Sequence, residues 1–194
     1  LSVVATIFPQ YDFARQVMGS SNHLTMLLRP GQEVHSYEPT PQDIIAIQNC
    51  DLFIYVGGES DAWIEDVLEG MDTSHMVILS LMDLVDPLEE DTDSVLENPE
   101  EHSHEDGEAT HLHQEEYDEH VWTSPKNAML ITQANCDALC DIDPPNAQTY
   151  RQNTADYLEQ LEGLDQDFRE VISNAGRDTL IFGDRFPLLY FVRG

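Results

Sequence analysis

Five of the eight histidines in this 194-residue chain fall within one acidic stretch. Two His-x-His pairs occur there, in a run that is rich in Asp and Glu. Imidazole and carboxylate groups are common ligands of divalent cations, so this composition favours contact with metal ions. A solvated, solubilising loop is the alternative, because runs of charge are often only that. The five histidines are His102, His104, His111, His113 and His120.

The charge of the whole chain limits its partners. Lys and Arg number 8 against 38 Asp and Glu, which gives a formal net charge of -30. No Lys or Arg stands between Arg29 and Lys126. Nucleic acid is therefore excluded as a partner, since its binding depends on basic side chains that neutralise phosphates. An anionic membrane surface is unfavourable for the same reason.

The apolar pattern predicts the elements that must position these histidines. Short β-branched or apolar runs predict strands at residues 2–8, 23–28, 51–56 and 76–79. Helices are predicted between them at residues 10–18, from the Thr40-Pro41 pair onward, and at 60–68. This alternation favours an α/β fold in which a mainly parallel sheet carries helices on both faces.

The second half of the chain is predicted to be helical. Residues 87–119 lose all apolar periodicity, which predicts a flexible loop. A helix follows from Ser124-Pro125, and a second one from Pro145 to Gly176 has apolar residues every three or four positions. A helix of that length, roughly 45 Å, would extend past a single small domain. A strand is expected at residues 179–182, and a further helix within 183–194.

Two loop histidines fall where ligands bind in open α/β sheets, beyond the carboxyl ends of strands. His35 follows the second predicted strand, and His120 closes the acidic insertion. Each on its own could be a metal ligand or a solvent-exposed side chain. The residues around the two histidines add the information that favours a metal site. His35 lies in the segment PGQEVHSYEPT at residues 30–40, and His120 lies in the segment DEHVWTSP at residues 118–125.

With the strand DLFIYVGG at residues 51–58 between them, these segments resemble the zinc and manganese solute-binding proteins of ABC-type metal importers, an adhesion-lipoprotein-like family. The resemblance implies two lobes joined by one long helix, with the metal held between the lobes. The expected organisation is an N-terminal metal-binding lobe at 1–124, a helical linker at 125–176, and the beginning of a second lobe at 177–194. The chain is then expected to be truncated in or before its second lobe.

The resemblance also implies a set of ligands. His35 and His120 would be the first and second, both from the first lobe. The position expected to carry a third His is Gly183, which has no side chain, and the fourth ligand, a carboxylate, would lie beyond Gly194. Asp184 is the nearest substitute, although a helix-capping role explains it equally well.

Zinc is expected in preference to manganese, because imidazole suits zinc and manganese sites contain more oxygen. The four histidines from His102 to His113 would then form a collecting loop, whose capture of metal weakens below about pH 6 as imidazole is protonated. Glu33, Glu38 and Glu59 could orient the ligand rings, or could be ordinary surface carboxylates.

The function that follows is extracytoplasmic binding of Zn²⁺ and its delivery to the membrane permease of an ABC importer, with no catalysis. Periplasm and cell surface both stay open, as does lipid anchoring, since the chain begins at Leu1 and contains no signal peptide. A metal-dependent hydrolase is one alternative, although the chain contains no His-Glu-x-x-His motif. A truncated metal-buffering protein that self-associates through an exposed interlobe face is another.

Overall fold

The computed structural model of the chain describes residues 1–20, 22–29, 31–32, 37–90, 117–176, 179, 181 and 186–194. Within these ranges the fold consists of a parallel β-sheet, helices on both of its faces, and one long helix. None of the helices in the described ranges combines the length and the apolar character needed to cross a membrane.

The sheet has four parallel strands among the described residues. They are β1 (Val3–Ala5), β2 (Leu24–Met26), β3 (Leu52–Tyr55) and β4 (Val77–Ser80). Their order across the sheet is β2-β1-β3-β4, so that β1 and β3 are central. Val4 of β1 pairs with Thr25 on one side and with Phe53 on the other. This arrangement confirms the parallel sheet that the alternating pattern predicts.

Helices cover both faces because the central strands are apolar on both sides. Val3, Leu52 and Ile54 are buried in a cluster with residues of helices α1 (Phe8–Met18), α4 (Pro125–Ile142) and α5 (Ala147–Asn174). Val4 and Phe53 are buried on the opposite face against α2 (Pro41–Gln48) and α3 (Ala62–Glu69). The α/β class with helices on both faces is thereby confirmed.

The start of α2 shows how the local sequence fixes an element. Thr40 is the N-cap, and its Oγ1 accepts from the backbone N–H of Asp43 at 3.3 Å. The Asp43 carboxylate accepts in return from the backbone N–H of Thr40 at 2.8 Å. This reciprocal pair helps to satisfy two backbone N–H groups at the helix start, of which that of Asp43 also donates to the Thr40 carbonyl at 3.0 Å. The tyrosine that precedes the cap, Tyr37, donates from its hydroxyl to the same carboxylate at 2.9 Å.

The C-terminal elements differ in detail from those expected. The long helix α5 has 28 residues and confirms the long helix that the apolar periodicity predicts. The helix predicted at 60–68 begins as a 3-10 turn at Glu59–Asp61 and continues as α3. Gly58, which has a positive φ, is the residue that precedes the turn. Of the strand expected at 179–182, Thr179 and Ile181 are described, and neither lies in a strand. The last helix is α6 (Leu189–Arg193).

Candidate metal centre

The carboxyl ends of the strands form one edge of the sheet, and the candidate site lies at this edge. Ile7, Leu28 and Val56, which follow β1, β2 and β3 respectively, form a small buried cluster there. Three partly buried side chains from outside these strand ends, Tyr37, Met82 and Trp122, pack against the cluster. Tyr37 and Trp122, which are far apart in the chain, are therefore brought to the same edge of the sheet.

His120 lies beside Trp122 at this edge, with ring centroids 5.5 Å apart. The Nδ1 atom of His120 is 2.7 Å from the Oδ1 atom of Asp118, which also accepts from the backbone N–H of His120 at 2.8 Å. A carboxylate can only accept, so Nδ1 is the donor and the lone pair of the neutral ring lies on Nε2. The hydrogen bond to Asp118 raises the pKa of His120 above its ordinary value.

This pairing is the arrangement found at many metal sites, where a carboxylate holds one ring nitrogen and the other nitrogen binds the ion. Asp118 is almost fully buried, at 3% exposure, whereas the His120 side chain is 31% exposed. The carboxylate is thus fixed inside the protein while the ring reaches the surface. His120 fits a Zn²⁺ ligand that binds through Nε2.

Asp118 is itself held by the ends of the acidic insertion. Its backbone N–H donates to the carbonyl of Leu88 at 2.9 Å, and Glu89 forms an isolated antiparallel bridge with Tyr117. The hydroxyl of Tyr190, on α6, donates to the Asp118 carbonyl at 2.8 Å. The two chain segments that enter and leave residues 91–116 are therefore paired with each other just before His120.

Glu119 fixes the other side of this segment to the loop that follows β3. Its Oε1 atom accepts from the backbone N–H of Ser60 at 2.9 Å. Gly58 has φ 81°, and a Cβ built there would lie 2.5 Å from the same Oε1 atom. Only glycine allows so close an approach in this conformation. The glycine pair that ends β3 thus allows the His120 segment to lie directly against the sheet edge.

The same loop contains a buried carboxylate, that of Asp61. Its Oδ2 atom accepts from the backbone N–H groups of Val56 at 2.8 Å and Gly57 at 3.1 Å. Burial raises the pKa of Asp61 to about 6 in spite of these two donors, and the nearby Glu119 charge adds to the shift. Within the described ranges no Lys, Arg or His forms an ion pair with Asp61, and desolvation outweighs the two hydrogen bonds.

The comparison with protein families agrees with this geometry. A family described as "Zinc-uptake complex component A periplasmic" (ZnuA) matches residues 3–192. The chain belongs to this family. The zinc-binding lipoprotein AdcA of Streptococcus pneumoniae is 31% identical to the chain, and the high-affinity zinc uptake system protein ZnuA of Bacillus subtilis is 32% identical. Each of these alignments includes 93% of the chain.

Solved structures of metal-binding proteins have the same fold as this chain. The metal-dependent lipoprotein YcdH of Bacillus subtilis superposes over 100% of the chain and 63% of its own length, with TM-score 0.80 and 25% identity. Zn(II)-bound AdcA of Streptococcus pneumoniae superposes over 98% of the chain and 36% of its own length, with TM-score 0.76 and 26% identity. A Mn-bound periplasmic metal-binding protein from Candidatus Liberibacter asiaticus shares the fold at TM-score 0.67.

The chain is shorter than the relatives it matches. It spans 34% of the length of pneumococcal AdcA and 54% of the length of Bacillus subtilis ZnuA. The family consists of binding components of transporters rather than enzymes, as the sequence predicts, so the hydrolase alternative falls away. Its members are named as periplasmic proteins or lipoproteins, and are extracytoplasmic.

Among the predicted site residues that the structure describes, three can be placed. His120 lies at the carboxyl edge of the sheet beside Trp122, and Glu38 and Glu59 are exposed and form no hydrogen bond or ion pair with His120. Within the described part of the chain, no three His, Cys, Asp or Glu side chains group as a metal site would require. The other predicted residues lie outside the described ranges; they are Glu33, His35, His102, His104, His111, His113 and Asp184.

The structure also places residues at the candidate site that the sequence did not indicate. The Asp118 carboxylate accepts from the His120 ring, whereas Glu38 and Glu59, the two proposed glutamates in the described part of the chain, form no hydrogen bond with it. The spacing Asp-x-His was visible in the sequence and could have indicated it, because a carboxylate two residues before a loop His can reach its ring. Glu119 and Tyr190 gave no such signal, since their partners are 59 and 72 residues away.

Proposed function

We propose that this chain is the metal-binding part of an extracytoplasmic protein that captures Zn²⁺ and delivers it to the membrane permease of an ABC importer. The observation that carries the proposal is the His120 ring, with Nδ1 held by the buried Asp118 and Nε2 left as a ligand atom. Relatives named as zinc-binding and zinc-uptake proteins support zinc as the cargo. Manganese is the less favoured cargo, because an imidazole ligand suits zinc better.

His35 is proposed as the second ligand. Tyr37, two residues after it, packs against the same Ile7, Leu28 and Val56 cluster as Trp122, two residues after His120. Two residues of extended chain span at most about 7 Å, so both histidines are within a short chain length of one apolar cluster. This shared anchor supports a site built from two loops. The proposed third contributor is Asp184, because Gly183 offers no side chain.

Four further histidines are proposed to collect metal rather than to hold it in the primary site. His102, His104, His111 and His113 belong to the acidic insertion, whose many carboxylates would raise the local concentration of cations. The Glu89–Tyr117 bridge closes the base of this insertion. The primary ligand His120 is therefore attached to the folded side of that bridge.

The experiment compares two variants of the full chain. In the first, His35 and His120 are both replaced by Ala. In the second, residues 91–116 are replaced by a short Gly/Ser linker, which leaves the Glu89–Tyr117 bridge and Asp118 in place. Zinc titration by calorimetry with a competing chelator is expected to show loss of tight binding in the first variant only. Retention of tight binding by the double variant, and its loss on removal of the insertion, would refute the assignment.

The second half of α5 supports a second lobe or a partner surface. Its exposed apolar side chains form a stripe that is unusual for a helix surface in water. We propose that further protein covers this stripe, either the second lobe of a two-lobed protein or a second copy of this chain. Sedimentation velocity distinguishes the two, because only self-association depends on concentration. The stripe consists of Leu164, Phe168, Val171 and Ile172, which are 44%, 38%, 68% and 63% exposed.

A further inference from the structure

The C-terminal helix α6 is fixed to helices α4 and α5. The Lys126 ammonium donates to the Gly194 carbonyl at 2.6 Å, and the Arg169 guanidinium donates to the same carbonyl at 2.9 Å. Phe191 of α6 packs edge-to-face on Phe168 of α5, with ring centroids 4.8 Å apart. Basic groups at the carbonyl end of a helix also stabilise its dipole. A side chain on the inner face of α6 is thus held in a defined position.

Tyr190 is on that inner face and is only 4% exposed. Its hydroxyl donates to the carbonyl of Asp118 at 2.8 Å and accepts from the backbone N–H of Leu88 at 3.0 Å. One phenol therefore joins the two chain segments at the base of the insertion. The hydroxyl donates one hydrogen bond and accepts another at the same time. Removal of the hydroxyl would take a hydrogen-bond partner from each of two backbone groups, the Asp118 carbonyl and the Leu88 N–H.

We infer that Tyr190 is a positioning residue of the proposed zinc site. Its hydroxyl fixes the backbone of Asp118, and the Asp118 carboxylate in turn fixes the Nδ1 atom of His120, so that Nε2 points to the metal. The inference rests on the proposed function and adds a residue of the last helix to that site. It also means that the acidic insertion and His120 share one support.

The test is Tyr190→Phe in the full chain, which keeps the packed ring and removes only the hydroxyl. Tyr150→Phe is the matched control. Tyr150 is 5% exposed, and its hydroxyl donates to the carboxylate of Asp143 at 2.6 Å, at the opposite edge of the sheet. Tyr190→Phe is expected to lower zinc affinity about tenfold, the lower end of the range for residues that support a metal ligand. Tyr150→Phe is expected to leave zinc affinity unchanged.

The readout specific to positioning is the tautomer of His120 in the metal-free protein, observed by long-range ¹⁵N–¹H NMR of the imidazoles. The original chain is expected to show the Nδ1–H form, Tyr150→Phe the same form, and Tyr190→Phe a mixture of both forms. An unchanged tautomer in Tyr190→Phe, or an affinity loss no greater than that of Tyr150→Phe, would overturn the inference.

A third measurement needs no variant, in case Tyr190→Phe does not fold. The Leu88 amide is joined to the Asp118 backbone through the Tyr190 hydroxyl, so zinc that tightens the His120 segment is expected to slow hydrogen exchange at that amide. Unchanged exchange at Leu88 on addition of zinc would contradict the inference. If the original chain binds no zinc, the proposed function fails, while the tautomer comparison in metal-free protein still decides the role of Tyr190.

Discussion

The two edges of the sheet contain similar chemical groups put to different uses. At the carboxyl edge, a buried tyrosine supports Asp118, whose carboxylate holds the His120 ring. At the amino edge, Tyr150 also donates to an aspartate, but Asp143 accepts in addition from the Asn146 side chain and so closes the connection between α4 and α5. Only the first arrangement leaves a nitrogen lone pair free at the surface.

The difference shows that a cavity does not by itself locate a site. The amino edge contains a cavity of about 500 Å³, lined by His23, Asp51 and Asp143 among others. Its carboxylates are occupied by neighbouring donors, since Asp51 accepts from the backbone N–H of Ser2 at 2.6 Å. At the carboxyl edge the decisive feature is the His120 ring, whose Nδ1 atom is hydrogen-bonded to the Asp118 carboxylate.

The largest expected effect is on zinc affinity, when one histidine at each edge of the sheet is replaced. His120→Ala removes the proposed ligand atom, whereas His23→Ala removes an exposed His from the amino-edge cavity. We expect zinc affinity to fall by more than about 100-fold for His120→Ala, beyond the usual range for loss of a supporting residue, and to stay the same for His23→Ala. Competition titration against a zinc chelator measures both. Equal losses would mean that the amino edge takes part in binding.

The two edges also contain aspartates whose pKa values shift in opposite directions. Burial raises the pKa of Asp61 to about 6, above the ordinary value of about 3.9. Below pH 4, protonated Asp61 contributes about 3 kcal/mol to the free energy of unfolding. This contribution is lost as the pH rises to about 6. Asp61→Asn is therefore expected to match the original chain near pH 4 and to be more stable at pH 7.

Asp143 provides the opposite control. Hydrogen bonds from Tyr150 and Asn146 lower its pKa, so its contribution to stability is present at neutral pH and is lost as pH falls through the folded value. Asp143→Asn should therefore be less stable than the original chain at pH 7, and the difference should shrink in acid. Urea unfolding from pH 4 to pH 7 tests both variants. Differences that do not vary with pH would contradict the two assignments.

A smaller effect is expected when the carboxylate behind His120 is made neutral. Asp118→Asn keeps the size of the side chain but lets its amide offer a donor to Nδ1, which favours the wrong tautomer. Zinc affinity should fall by about 10- to 100-fold. Asp143→Asn, at the amino edge, should leave it unchanged. Calorimetry on both variants measures the contrast, and an unaffected Asp118→Asn would show that the carboxylate only supports the backbone.

The last comparison concerns two glycines with positive φ, and it is measured first as stability of the fold. Gly58 faces Glu119 at the carboxyl edge, and Gly19 ends α1 near the amino edge with φ 68°. Gly58→Ala should cost about 3 kcal/mol of unfolding free energy, because backbone strain is joined by a clash with Glu119. Gly19→Ala should cost about 2 kcal/mol, because the new Cβ meets only the end of the Asn153 side chain, which loses its hydrogen bond to the Val17 carbonyl when it moves. Thermal unfolding with and without zinc checks the order, and only Gly58→Ala should also weaken zinc binding.

The sequence predicted the elements because each of them is specified locally. The Thr40-Pro41 pair marks the start of α2, and the repeating apolar residues of α5 mark a long helix whatever the rest of the chain does. His120 was also predicted, from its loop position and from the segment around it. Of the glutamates expected to support the ring, Glu38 and Glu59 form no hydrogen bond with His120, and Glu33 lies outside the described residues. Closeness in sequence is a weak guide to such contacts on a chain with 38 acidic residues.

By itself, then, the sequence determined the parallel α/β fold, the preference for cations and the His120 segment, since all three depend on residue type and short-range spacing. Tertiary structure alone decided which groups support that segment. Ser60 meets Glu119, and Tyr190 meets Asp118, only because the strands end at one edge and α6 returns to it. No periodicity encodes contacts between residues so far apart in the chain, because they arise from how the helices pack around the sheet.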